Sequence, residues 1–218
     1  MKLFIKLSAV LLLPLACLSA LGYLYWYSPK FKNKAAQKYF AVNKNTATQN
    51  GLQKLQQQAA GIGGYIKKNH FNNEYCFMID MSQPSGRQRF YVYNIKKDSI
   101  EMAGLVTHGA GSVTGTGKLF FSNEPNCNCT SLGKYKIGNA YQGRFGLAYK
   151  LYGLSKTNSK AFERFVVLHA HSCVPAGEVY PLSICPSLGC PTVSPAFLQK
   201  LKVYIEASEK PVLLNIFY

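Results

Sequence analysis

Apolar and polar positions change texture twice along the chain, and the changes divide it into three parts. From Leu7 to Tyr27 no charged residue occurs, and Lys2 and Lys6 precede the run Leu7-Ser8-Ala9-Val10-Leu11-Leu12-Leu13-Pro14-Leu15-Ala16-Cys17-Leu18. About 20 apolar residues match the ~30 Å hydrocarbon core of a bilayer. The run closes on Tyr23, Tyr25, Trp26 and Tyr27, rings suited to the membrane interface. The pattern predicts an N-terminal transmembrane helix, with residues 1–27 as anchor and contact with the membrane through 7–27. A cleaved signal segment is the alternative, and Leu15-Ala16-Cys17 offers a third, a lipoprotein cleavage site.

Residues 28–73 read as a polar spacer rich in Lys, Asn, Gln and Ala. Helical spacing over Gly51–Ala60 predicts a packing helix, for which Tyr39, Phe40, Leu52 and Leu55 supply apolar contacts. Gly61-Ile62-Gly63-Gly64 is expected to stop it.

From residue 74 the chain becomes β-rich. Runs at 75–79, 89–95 and 100–106 are separated by the turn formers Gln83-Pro84-Ser85-Gly86 and Lys96-Lys97-Asp98, which predicts an antiparallel meander. A further strand is expected over Arg164–His169, after a polar loop, and a closing one over Pro211–Phe217. Between them Ser194 caps a helix with Pro195 in its first turn. Phe197, Leu198, Leu201, Val203 and Ile205 are its apolar positions, with Leu198, Leu201 and Ile205 on one stripe. The expected architecture for 74–218 is mostly β, a sandwich or open barrel with one or two packing helices.

Composition refines this. At 218 residues and 48% hydrophobic content the chain falls with globular proteins. The 25 basic residues less Lys2 and Lys6 leave 23 against 9 acidic ones. Such a balance often signals nucleic acid. Here it does not, because the basic residues are spread along the chain and a domain exported beyond a membrane meets anionic polymers and lipid headgroups instead. Cys17 apart, six cysteines remain: Cys76, Cys127, Cys129, Cys173, Cys185 and Cys190. An exported compartment permits disulfides, but spacing does not decide their pairing.

The densest reactive residues lie in Val167-Leu168-His169-Ala170-His171-Ser172-Cys173 and Ser187-Leu188-Gly189-Cys190-Pro191. Alternation on a strand sends His169 and His171 to the same side. Gly189 lets the chain bend beside Cys190 and leaves amides free. A thiol needs a base to become a nucleophile, and a carbonyl substrate needs N–H donors where its oxyanion forms. If Cys190 stays free, five thiols remain and at least one cannot pair within the chain. Two other readings stand beside this one: structural cysteines in a non-catalytic wall-binding module, or zinc held by His169, His171 and Cys173 with Cys127 and Cys129. One strand supplies a poor tetrahedral clamp, so no metal and no cofactor is expected.

The segment His169–Cys190, ending Ser187-Leu188-Gly189-Cys190-Pro191, resembles the histidine and Ser-x-Gly-Cys motif of the L,D-transpeptidase catalytic domain family, in a branch with Cys-Pro. Arg89–Tyr93, Gly104–Ser112, Phe121-Ser122-Asn123 and Ser131–Tyr135 agree with that branch, over residues 74 to 217. The resemblance implies a cysteine-dependent enzyme of the cell envelope acting on peptidoglycan stem peptides. Cys190 would be its nucleophile, His169 or alternatively His171 its base, and amides near Gly189 its oxyanion donors beside Ser187. A backbone carbonyl or Ser would orient the imidazole. His108, Gly109, Ser122, Asn123 and Tyr135 would contact substrate. Departures are Ala170 after His169 where the family has Gly, the absence of an Arg after Cys190, and the added Cys127 and Cys129.

Overall fold

The computed structural model describes residues 49–218 except 116, together with 21 and 23. The expected membrane segment, Tyr39 and Phe40 therefore lie outside the described residues, apart from Leu21 and Tyr23. Among the described residues no helix is long and apolar enough to cross a membrane. The chain divides into two compact units, Met1–Ala41 and Val42–Tyr218.

The elements of the second unit are α1 (Gln49–Lys68), β1 (Tyr75–Asp80), β2 (Phe90–Asn94), β3 (Ser99–Gly104), β4 (Gly133–Gly143), β5 (Gly146–Gly153), β6 (Val167–Ala170), β7 (Thr192–Val193), α2 (Pro195–Glu206) and β8 (Leu213–Phe217), with 3₁₀ turns at Ala110–Ser112 and Lys156–Asn158. The strands form one sheet in the order β3-β2-β1-β8-β4-β5-β6-β7. Pairing is antiparallel except for β1 with β8 and β6 with β7. The expected meander is β1-β2-β3. Val106, just past β3, bridges Val193 in β7, so the sheet curls until its two ends meet. The result is an open barrel rather than a sandwich.

Alternation along the central strands explains the two cores. Phe77 and Ile79 of β1 and Leu214 and Ile216 of β8 face a cluster with Phe197, Leu198 and Leu201 of α2. Cys76 and Met78 with Leu213 and Phe217 face α1. Both faces are covered, as parallel pairing in the sheet centre requires. α2 begins as its sequence predicts, with the Phe197 N–H donating to Ser194 Oγ at 3.2 Å. Val203 is the exception on that helix, at 66% exposed.

Three expectations fail. α1 runs through Gly61, Gly63 and Gly64, because Leu55, Ala59, Ile62 and Ile66 form one buried stripe whose packing outweighs the glycine cost. It stops at His70, which takes a left-handed φ of 57° while the Phe71 N–H donates to Ile66 O, a Schellman-type end. Secondly, the expected polar loop before β6 is the hairpin β4–β5, the two longest strands of the sheet. Buried Tyr135, Ile137, Ala148, Tyr149 and Leu151 are interleaved there with Lys, Asn and Gln. Thirdly, Arg164 and Phe165 belong to a turn, and β6 starts at Val167.

Candidate active site

After β6 the chain leaves the sheet for residues 171–191 and returns in β7. The excursion is closed by a Cys173–Cys185 disulfide and seated by Val174 and Ile184 against Leu105. Parallel pairing puts His169 opposite Thr192, so Cys190 arrives two residues before the partner of His169.

The loop carrying Cys190 is shaped by hydroxyls. The Ser187 N–H donates to His108 O at 2.8 Å, and Ala110 N–H donates to Ser187 O at 2.7 Å. The Ser187 hydroxyl donates to Cys190 O at 2.6 Å and accepts from Gly189 N–H at 3.1 Å. Thr107 Oγ1 donates to the same Cys190 carbonyl at 3.2 Å while accepting from Thr192 N–H. The Gly189 amide is thus occupied, and the Cys190 N–H makes no hydrogen bond among the described residues. Gly189 has φ +110°, and a β-carbon there would lie 2.9 Å from Cys129 O, so both conformation and space demand glycine.

Cys190 opens into a cavity of about 480 Å³ with His169, His171, Ser187, Thr192 and the hairpin tip Arg144-Phe145 on its walls. His169 and His171 share one side as alternation predicts, and both touch Phe145: His169 stacks at 5.3 Å between centroids and His171 meets it edge-on at 5.2 Å. His169 Nδ1 lies 3.1 Å from Ala170 O, which makes it the protonated nitrogen and leaves Nε2 with its lone pair, 3.0 Å from Thr192 Oγ1. His171 differs. Its Nδ1 accepts from Cys173 N–H at 3.1 Å, so in the neutral ring Nε2 carries the proton and has no lone pair to offer. The Cys190 thiol makes a long contact, 3.8 Å, to Phe165 O.

Burial pushes the Cys190 thiol pKa up, against the pull of Val167 backbone and the Arg164 charge. Burial lowers that of His169, against its bond to Ala170 O, and the neighbouring His171 lowers it further. The resting pair is therefore neutral thiol and neutral imidazole.

His169, His171, Ser187 and Cys190 converge as expected. The other expected contacts do not line the cavity. His108 has Nδ1 3.0 Å from Arg89 Nη2, and Gly109 N–H donates to Thr130 Oγ1. The Ser122 carbonyl accepts from Arg164, and the Asn123 amide group donates to Ser159 Oγ at 3.0 Å and to Lys156 O at 3.3 Å. Tyr135 is buried beneath Ser131, with its hydroxyl 2.7 Å from Ser131 Oγ. Thr107, Thr192, Tyr141 and Phe145 line the cavity without having been singled out in the sequence. Gly143-Arg144-Phe145-Gly146, with Gly146 at φ +84°, was the available signal of a hairpin tip.

The cysteines resolve their parity. Cys127 pairs with Cys129 and Cys173 with Cys185, while Cys76 and Cys190 are free. Cys76 is fully buried and its thiol pKa is pushed up to about 12 by burial, which leaves it inert. The thiolates of Cys127, Cys129 and Cys173 that a zinc site would need are thus spent in disulfides, and among the described residues no group of three or more His, Cys, Asp or Glu side chains is placed to hold a metal ion.

Residues 46–213 match the model of the L,D-transpeptidase catalytic domain family. No curated protein matches the sequence. Similar solved structures include Bd1075 of Bdellovibrio bacteriovorus, at 18% identity over 68% of this chain and 49% of that one, TM-score 0.43. A mutant of the Enterococcus faecium L,D-transpeptidase is 11% identical over 66% and 50%, TM-score 0.42. The helical cell shape determining protein Pgp2 of Campylobacter jejuni is 12% identical over 65% and 46%, TM-score 0.40. This chain spans about half the length of those structures.

Proposed function

The chain belongs to the L,D-transpeptidase catalytic domain family, and from that premise we propose that it is a cysteine-dependent L,D-transpeptidase acting on peptidoglycan stem tetrapeptides outside the cytoplasm. The observation that carries the reading is Cys190: among the described residues it is the one free thiol that reaches a cavity, and it shares that cavity with His169. Two disulfides suit an oxidising compartment, and residues 7–27 would tether the domain to a membrane.

Because the resting pair is neutral, proton transfer accompanies attack. The thiol swings from Phe165 O towards His169 Nε2, which takes its proton as Sγ bonds to the carbonyl carbon of the third stem residue. The oxyanion is held by the Cys190 N–H, the amide that Ser187 leaves unoccupied. Collapse breaks the bond to the terminal D-Ala, whose amine leaves with the proton from the imidazolium. An amine acceptor then attacks the thioester carbonyl and gives its proton to His169; collapse breaks the C–S bond, Cys190 leaves and takes that proton back from the imidazolium, and a cross-link is formed, while water in place of the amine trims the stem. Ala170 O holds the ring in the required tautomer throughout.

Intact mass after incubation with a carbapenem, with peptide mapping, tests this. A covalent adduct on Cys190 is expected, and none in Cys190→Ala. An adduct that persists in the variant removes Cys190 as nucleophile. His169→Ala is expected to slow acylation about 100-fold and His171→Ala much less. The reverse order transfers the base role to His171. Inhibition by a chelator would revive the zinc reading.

A further inference from the structure

The turn before β6 carries a basic side chain that this chemistry does not use. Arg164 donates from Nη1 to Ser122 O and Ser131 Oγ, both at 3.1 Å, and from Nη2 to Cys129 O at 2.5 Å. All three acceptors lie on the segment from 122 to 131. That segment is the ledge under the nucleophile loop, since a β-carbon on Gly189 would meet Cys129 O at 2.9 Å and Arg164 Nη2 at 3.4 Å.

The next residue faces the thiol itself. Phe165 sits at φ +54° and is 84% exposed, and its carbonyl is the group 3.8 Å from Cys190 Sγ. A bulky side chain in left-handed backbone is strained, and packing of the ring does not repay it here. What the conformation achieves is the direction of the carbonyl. The Arg164 N–H donates to Lys160 O at 2.8 Å and the Phe165 N–H to Phe162 O at 3.0 Å, which hold the turn from within, while the guanidinium ties it to the ledge. The acceptors of Arg164 are neutral, and among the described residues no carboxylate pairs with it. Its charge is left uncancelled near the sulfur.

We propose that Arg164 is a positioning residue for Cys190: its guanidinium locks the turn ending at Phe165 onto the Ser122–Ser131 segment, fixing the ledge under Gly189 and the carbonyl facing Sγ, and its free charge favours the thiolate. The proposal rests on the reading of Cys190 as the nucleophile. The direction of the charge effect agrees, since Arg164 pulls the thiol pKa down against burial. A lysine would keep the charge and lose the fork, because one ammonium cannot span the three acceptors in the same geometry.

The test measures alkylation of Cys190 by iodoacetamide in the full chain, from about pH 6 to about pH 10, following the Cys190 peptide by mass. Cys76 is buried and stays silent. Arg164→Gln is expected to move the inflection up by about half a pH unit or more, slowing alkylation at neutral pH about threefold. Arg164→Lys is expected to keep the inflection and to slow carbapenem acylation about tenfold. A merely structural arginine would lower stability in both variants and leave the Gln inflection in place, which overturns the proposal. Should Arg164→Gln fail to fold by circular dichroism, Arg164→Lys decides: slowed acylation supports the proposal, and wild-type acylation overturns it. A wild-type chain that a carbapenem does not acylate, but whose alkylation inflection still moves in Arg164→Gln, would sink the enzymatic reading and leave the effect of Arg164 on the thiol standing.

Discussion

The centre of the sheet and the end that carries Cys190 are built on different principles. At the centre, β1 and β8 are paired in parallel, β8 is buried at every position, and α1 and α2 cover opposite faces. Stability there comes from apolar area, and neighbouring contacts are interchangeable in kind. At the other end, β6 has four residues and β7 two. What holds the nucleophile loop is a disulfide, a glycine pressed on a carbonyl and two hydroxyls gathered on Cys190 O. Little area is involved, but each contact sets a direction. Stability and reactivity should therefore respond to different substitutions.

The largest effect on stability is expected at the centre. Phe197 packs edge-to-face on Phe90 at 5.4 Å and is 1% exposed. Phe197→Ala should cost about 3–5 kcal/mol in urea unfolding. Carbapenem acylation of the protein that remains folded should stay within about threefold of wild type; a much larger loss would mean the two regions are not separable. Gly189→Ala should do the opposite, costing about 1–3 kcal/mol for the left-handed conformation while acylation falls on the order of 100-fold. Parallel losses in both would erase the distinction.

His108 sharpens the comparison because it joins the two ends. Its ring meets buried Arg89, whose Nε and Nη2 donate to Val106 O at 3.0 and 2.8 Å, and its carbonyl accepts from Ser187 N–H. Burial, with the Arg89 charge, pushes its pKa down from 6.5 to about 4. The unfolded chain then binds the extra proton first, so this contribution is full above pH 6.5 and is lost as pH falls to about 4. At about 1.4 kcal/mol per pKa unit the full shift is worth about 3 kcal/mol, and with solvent screening at the half-buried ring thermal melts should show a decline of about 2 kcal/mol over that window, which His108→Gln should flatten. An unchanged slope in the variant would place the acid sensitivity elsewhere.

Legibility in the sequence followed the same division. Strands β1, β2, β3 and β8 and the start of α2 were readable because alternation and a Ser-Pro cap act over a few residues. The hairpin β4–β5 was not, because its outer face is polar and the second half of β4 is exposed, so Lys, Asn and Gln mask the buried positions. The glycines of α1 misled for a related reason: packing of Ile62 and Ile66 outweighed a local preference. At the site, His169, His171, Ser187 and Cys190 stood out because they cluster in two short segments. Phe145 and Arg164 did not, since nothing adjacent to them marks a reactive centre.

By itself the sequence determined a mostly β domain, the family it resembles, and a thiol with histidines close by, all of which rest on local order and residue type. Only the tertiary structure decided which cysteines pair, which histidine keeps a lone pair on Nε2, and which amide of the loop stays free. Those outcomes depend on distances and directions between segments far apart in the chain, and such geometry exists only once the cores have closed and brought the segments together.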